Sequence, residues 1–237
     1  MELGWFDHLL FFIVGIVLPM ITYMTEKPQA VEFEDAEFAL PPKKHIYYTN
    51  GLVLIIGALI VLTLWNVTFR SFEILGLIYP TIDNMVYFLC GATVVIYASD
   101  TLYNYFNSKK LTEDAKDLSL IMPTSWNDYK HFVFLAIAAG VCEEIVFRGF
   151  LVNYIIEAFN TKSYNYYLAL LIPALIFAVS HIYQGIFAVF KIFLLSLLFG
   201  AIFLYSNSLL LVIIIHVLVD LISGAVMVKV YNKNDSK

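Results

Sequence analysis

The chain has 237 residues, of which 61% are hydrophobic and 14% are charged. Soluble domains are typically about 45–50% apolar and about 25% charged, so a water-soluble globule is excluded. A span takes about 20 apolar residues, so a chain of this length accommodates roughly six to eight spans in one domain. The expected fold class is therefore all-α, a polytopic transmembrane helical bundle. The net charge of −5 says little, because the placement of Lys and Arg matters more than their sum; nucleic acid is not an expected partner.

Seven spans are predicted in chain order. The first covers about Leu9–Met24; with Glu2 and Asp7 and no Lys or Arg before Lys27 it makes a poor signal peptide, so a retained span is expected. A polar loop, Thr25–His45, carries the acidic run Glu32–Glu37 and the stop Pro41-Pro42. The second span is about Ile46–Trp65. A short link with Arg70, Glu73 and Pro80 follows, in which Ile74–Tyr79 can form a re-entrant or interfacial piece. The third span is about Ile82–Phe106, with Asp83 and Asp100 read as interfacial. A second polar loop, Asn107–Asn127, precedes the fourth span, about Tyr129–Phe159. The fifth is about Tyr164–Ile182, the sixth about Gly185–Tyr205 with Lys191 snorkelling, and the seventh about Ser208–Tyr231. Pro19 and Pro173 fall inside spans and are expected to kink them. Cys90 and Cys142 fall in apolar runs and read as free thiols.

Orientation follows the Lys/Arg asymmetry. Lys27, Lys43, Lys44, Lys109, Lys110, Lys116, Lys130, Lys229, Lys233 and Lys237 all fall on one side of a seven-span arrangement, and only Arg70 and Lys162 lie in loops of the other. The expectation is a multi-pass protein of the cell membrane with its N-terminus outside and its C-terminus cytoplasmic.

The fourth span is unusual because it contains Glu143, Glu144 and Arg148. One charged side chain at a helix centre costs roughly 2.5–3.5 kcal/mol on insertion scales. Such residues persist where they pair, face a wet cavity or do chemistry. Polar residues also interrupt the fifth span, at Phe177-Ala178-Val179-Ser180-His181, and the seventh, at His216-Val217-Leu218-Val219-Asp220. Helical neighbours are three or four residues apart, so Glu144 shares a face with Arg148, Phe177 with His181, and His216 with Asp220. Glu143 is turned about 100° from Glu144 and can face a cavity while Glu144 holds the arginine. Gly140 and Gly149 flank the cluster and suit close helix approach.

Such a set can activate water. A carboxylate shielded from bulk solvent can act as a base toward a bound water molecule. One neutral histidine can orient that water, and a second can donate a hydrogen bond to the oxygen of a tetrahedral intermediate. Bland readings compete: Glu144–Arg148 as a structural ion pair, His181 as a residue satisfied at the interface, and His216–Asp220 as a local hydrogen bond.

The three motifs in order, Glu143-Glu144-Ile145-Val146-Phe147-Arg148, Phe177-Ala178-Val179-Ser180-His181 and His216-Val217-Leu218-Val219-Asp220, resemble the CPBP family of intramembrane proteases. This family comprises CAAX prenyl endopeptidases and bacteriocin-processing (Abi) proteins. The resemblance covers about Tyr129–Tyr231. It implies an intramembrane endopeptidase that cuts a membrane-associated substrate, prenylated or leader-type. Residues 129–237 would be the catalytic core and residues 1–128 helices without motif, in one integral membrane domain. It implies Glu143 as the base, His181 as a holder of the water, Glu144 and Arg148 as ordering residues, and His216 with position 220 at the oxyanion. The prenyl-endopeptidase pattern has Asn where this chain has Asp220, and an ionised Asp donates no hydrogen bond; orienting His216 is its expected role. Members are often labelled metalloproteases, yet the chain has no His-Glu-x-x-His pair. The expectation is a glutamate-and-water mechanism without a cofactor; if zinc is used, Glu143, His181, His216 and Asp220 are its candidate ligands. The expected partners are membrane lipid and a peptide or protein substrate. The alternatives are a non-catalytic scaffold or bacteriocin-immunity protein and, further off, a proton-coupled transporter.

Overall fold

In hydrocarbon, backbone N–H and C=O groups find partners only within the protein, so apolar runs of this length become helices. The computed structural model describes residues 2–25, 41–106, 122–159 and 165–235. Over these residues the chain is a bundle of seven helices with no strand. Helix α1 runs through Trp5–Phe12, a widened π-type turn at Ile13–Val17, and Leu18–Thr25. Next come α2 (Lys43–Val67) and α3 (Asn84–Phe106). Helix α4 joins Trp126–Glu144, a π-type stretch Ile145–Val152, and Asn153–Phe159. The last three are α5 (Asn165–Val179), α6 (Ile186–Ser206) and α7 (Leu209–Asp235). Five of the seven (α1, α2, α3, α6 and α7) are long and apolar enough to cross a membrane by length and composition, and α5 is a shorter apolar helix. The protein is a multi-pass membrane protein.

Helix starts are set by local chemistry. The Ser125 hydroxyl accepts from Asp128 N at 3.1 Å, so α4 begins three residues earlier than hydropathy suggests. Asp83, expected to be interfacial, caps α3 by accepting from Val86 N at 2.8 Å. Helix α5 stops at Val179, and His181 lies in the turn beyond it. Pro173 lies inside a continuous α5, and Pro19 follows the widened turn of α1, where a backbone donor is already out of register. The loop Glu32–Glu37 and residues Lys27, Lys109, Lys110, Lys116, Lys162 and Lys237 lie outside the described residues.

Helix α4 is the axis of the bundle. Ile145, Phe150, Leu151, Val152 and Ile155 are buried among Val61 and Trp65 of α2, Phe199, Ile202 and Phe203 of α6, and Leu209 and Val212 of α7. The link from α2 to α3 is not a re-entrant helix. It lies against the α6–α7 turn: Leu209 N donates to the Gly76 carbonyl (2.8 Å), Thr81 N to the Ser206 carbonyl (2.9 Å), and Asn153 Nδ2 of α4 to the Ile74 carbonyl (2.9 Å). Gly76 has φ +91° and a Cβ there would meet Leu209 N at 3.2 Å, so only glycine suits the position. Non-helical backbone is tolerated here because protein supplies its partners.

Hydropathy hid a second buried ion pair. Arg70 donates from Nη1 and Nη2 to the two oxygens of Asp7, each at 2.6 Å, and from Nη2 to the Glu2 carbonyl at 2.9 Å. Asp7 also accepts from Gly4 N, and the Arg70 guanidinium stacks over Trp65. This clamp ties α1 to the end of α2, and Phe11 stacked on Tyr154 ties α1 to α4. Asp100 and Lys191, read separately as interfacial and snorkelling, pair with each other at 2.5 Å between α3 and α6. Cys90 and Cys142 are free thiols.

Removing one partner of a buried pair leaves an uncompensated charge, at a cost of roughly 3–5 kcal/mol. Arg70→Ala is expected to lower the thermal unfolding midpoint in detergent markedly, while the double substitution Asp7→Leu with Arg70→Met recovers most of the loss.

Candidate active site

The cluster is assembled on α4, α5, α6 and α7, and its anchor is Glu144. This carboxylate is fully buried. Its Oε1 accepts from Arg148 Nη1 at 2.9 Å, one helical turn away, and stands 2.6 Å from His216 Nδ1 of α7. Its Oε2 has no hydrogen-bond partner among the described residues. Arg148, 2% exposed, reaches on to α6, where Nη2 donates to Ser196 Oγ at 2.8 Å and to the Ser196 carbonyl at 3.2 Å. The rings of Phe177 and Phe199 lie 5.0 and 5.5 Å from its guanidinium carbon, so aromatic faces replace water around the charge.

Glu143 is turned away from this pair. It makes no hydrogen bond among the described residues, and its Oε2 stands 3.8 Å from His216 Nε2. Asp220 Oδ2 lies 3.7 Å from the same nitrogen. The imidazole of His216 therefore has one nitrogen committed to Glu144 and the other facing two carboxylates. The side chains of Glu143 and Asp220 are 14% and 28% exposed, against 0% for Glu144, so these two border the opening of the cluster.

His181 joins through Phe177. Its Nδ1 lies 2.7 Å from the Phe177 carbonyl, so Nδ1–H donates there and Nε2 keeps its lone pair. Its ring packs on that of Phe177 with centres 4.6 Å apart, and Phe177 in turn stands edge-on to His216 at 6.2 Å. Glu144, Arg148 and His216 are thus bonded directly, Glu143 and Asp220 flank His216, and His181 is held beside them by an aromatic spacer. No three His, Cys, Asp or Glu side chains among the described residues come together as a metal-binding group.

Close backbone approach permits the 2.6 Å contact between α4 and α7. A Cβ on Gly140 would lie 2.9 Å from Val217 N and 3.1 Å from Val217 Cα, so the helix backbones nearly touch beside His216. Just beyond Glu144 the helix widens into the π-type stretch Ile145–Val152, a geometry frequent at functional sites. Gly149 serves the link instead, with its Cβ position 3.1 Å from Leu75. Ser196 and Phe199 escaped the sequence reading. The only sequence signal was a serine three residues before a phenylalanine in an apolar helix, which fits ordinary packing equally well.

The fold and cluster define a polytopic helical membrane protein with ionisable residues of several spans gathered in its interior. Residues 125–222, about two fifths of the chain, match the family model described as type II CAAX prenyl endopeptidase, Rce1-like. This segment contains all six residues Glu143, Glu144, Arg148, His181, His216 and Asp220, and over it the chain is similar to the CAAX prenyl endopeptidases that its three motifs resemble. No curated protein and no solved structure matches the chain significantly.

Overpacking a close helix contact typically costs about 1–3 kcal/mol. Gly140→Ala is expected to lower the unfolding midpoint in detergent by a corresponding amount. Gly91→Ala, at a position with nothing within 4 Å, leaves the midpoint unchanged or raises it.

Proposed function

We propose that the protein is an intramembrane endopeptidase that hydrolyses a peptide bond of a membrane-associated substrate by glutamate-activated water, with residues 129–237 as its catalytic part. The observation that carries this reading is the division of labour between two adjacent carboxylates: Glu144 is spent on Arg148 and His216, while Glu143, beside His216 Nε2, makes no hydrogen bond among the described residues. In an apolar interior an unspent carboxylate next to an imidazole is costly as structure and useful as a base.

In this mechanism Glu143 takes a proton from a water molecule whose other hydrogen is accepted by His181 Nε2. The hydroxide attacks the scissile carbonyl carbon. His216, held by Glu144 at Nδ1, donates as the imidazolium from Nε2 to the oxyanion. Glu143 then returns its proton to the departing amine, and the C–N bond breaks. Asp220 orients His216 from the side of Nε2, one turn along α7. The site takes a peptide from the cytoplasmic side, the side to which the Lys distribution assigns the C-terminus, and the N-terminus lies outside. Residues 1–128 support the catalytic part through α2 and the link, which pack on α4.

The test is cleavage of a fluorogenic prenylated peptide by the purified protein in detergent. Glu143→Gln keeps the shape of the side chain and removes the base, so cleavage is expected to fall by about 10²–10⁴-fold with the unfolding midpoint retained. Chelator is expected to leave the wild-type rate unchanged. A Glu143→Gln variant as fast as wild type overturns the reading, and loss of activity on chelation replaces it with a zinc enzyme.

The Asp220 role has its own test. Asp220→Asn keeps an oxygen that can face His216 and restores the amide of the prenyl-endopeptidase pattern, so it is expected to retain cleavage, whereas Asp220→Leu loses it. Equal rates for the Asn and Leu variants would remove Asp220 from the mechanism.

A further inference from the structure

We infer that Ser196 is a positioning residue of this site, acting through Arg148 and Glu144 on His216; this rests on the protease reading above and adds α6 to its machinery. A guanidinium is a flat fork of five N–H donors. One edge of the Arg148 fork binds Glu144 Oε1 through Nη1, and the adjacent edge binds Ser196 twice through Nη2, once at the hydroxyl and once at the carbonyl. The guanidinium carbon lies over the rings of Phe177 of α5 and Phe199 of α6. Ser196 and Phe199 are three residues apart and so share one face of α6, which forms a socket for the guanidinium.

The rings limit tilting of the fork. Its displacement within its own plane, through torsions of the arginine stem, is resisted by the hydrogen bonds of Nη1 and Nη2, and Ser196 accepts both of those made by Nη2. Glu144 is sensitive to that displacement because Oε1 serves both Arg148 and His216, while Oε2 has no partner among the described residues to resist a swing of the carboxylate. A shift of the fork therefore displaces Oε1 and, with it, His216 Nε2 relative to Glu143 and Asp220. Ser196 is 3% exposed and its hydroxyl is bonded to Arg148, so it acts at a distance from the reacting atoms.

The experiment compares Ser196→Ala, Ser196→Val and Ser196→Thr with wild type and Glu143→Gln, using the full-length protein in detergent and the same peptide. Loss of a hydrogen bond to a charged group is expected to lower kcat about tenfold in the Ala and Val variants, with KM within about twofold of wild type and a displaced pH profile of kcat. Ser196→Thr keeps the hydroxyl and is expected to recover most of kcat. Threonine and valine have nearly the same shape, so a packing role predicts equal rates for them; that result, or a Ser196→Ala variant with wild-type kcat, overturns the inference. A wild-type enzyme that cleaves while Ser196→Ala matches it defeats the role of Ser196 alone. A Glu143→Gln variant as fast as wild type defeats the parent reading, and this inference with it.

Discussion

The buried carboxylate of Glu144 is the constraint on which the arrangement depends. It is fully buried in a helix, and it is tolerated because Arg148 neutralises it and His216 shares its bonded oxygen. Breaking such a pair costs more than the pair contributes to stability, since a lone charge would remain in the apolar interior. Geometry therefore has little freedom here. Helix α7 must present His216 at the level of Glu144, α6 must present Ser196 to Nη2 of Arg148, and α5 and α6 must bring the rings of Phe177 and Phe199 against the guanidinium. One ionic group thus sets the mutual register of four helices.

Helix contacts in a membrane lack the hydrophobic driving force that operates in water, and they rely on close packing and polar bonds. Both are present where α4 meets α7: Gly140 lets the backbones approach beside Val217, and Glu144 binds His216 one residue away. The same physics recurs at the other end of the bundle. Arg70 and Asp7 form a second buried pair, with Trp65 in the place that the phenylalanines take around Arg148. One pair spends its hydrogen bonds on itself and on the backbone of Glu2 and Gly4, and holds α1. The other leaves Glu143 beside it without a hydrogen bond among the described residues, and that difference separates a clamp from a candidate site.

Much of this was legible in the chain. The seven helices follow from hydrophobic runs, because hydrocarbon admits only backbones that bond to themselves. The facing of Glu144 with Arg148 and of Phe177 with His181 follows from helical periodicity, and both i,i+4 contacts are present. Asp220 does stand one turn from His216, but at 3.7 Å, with the hydrogen bond of His216 made to Glu144 on another helix. Helix ends were less legible, because capping by Ser125 and Asp83 outweighs hydropathy within a turn.

Sequence by itself determined the class of protein, the order of its helices and the residues that are too costly to be idle in a membrane, since transfer energies and the 3.6-residue period are local properties. Tertiary structure alone decided which of those residues meet. It assigned Glu144 rather than Glu143 to His216, joined Asp7 to Arg70 across 63 positions of the chain, paired Asp100 with Lys191, and turned Ser196 from one more small residue into a partner of Arg148. The rotation of one helix against another is set by side chains distant in sequence, and no local periodicity encodes it.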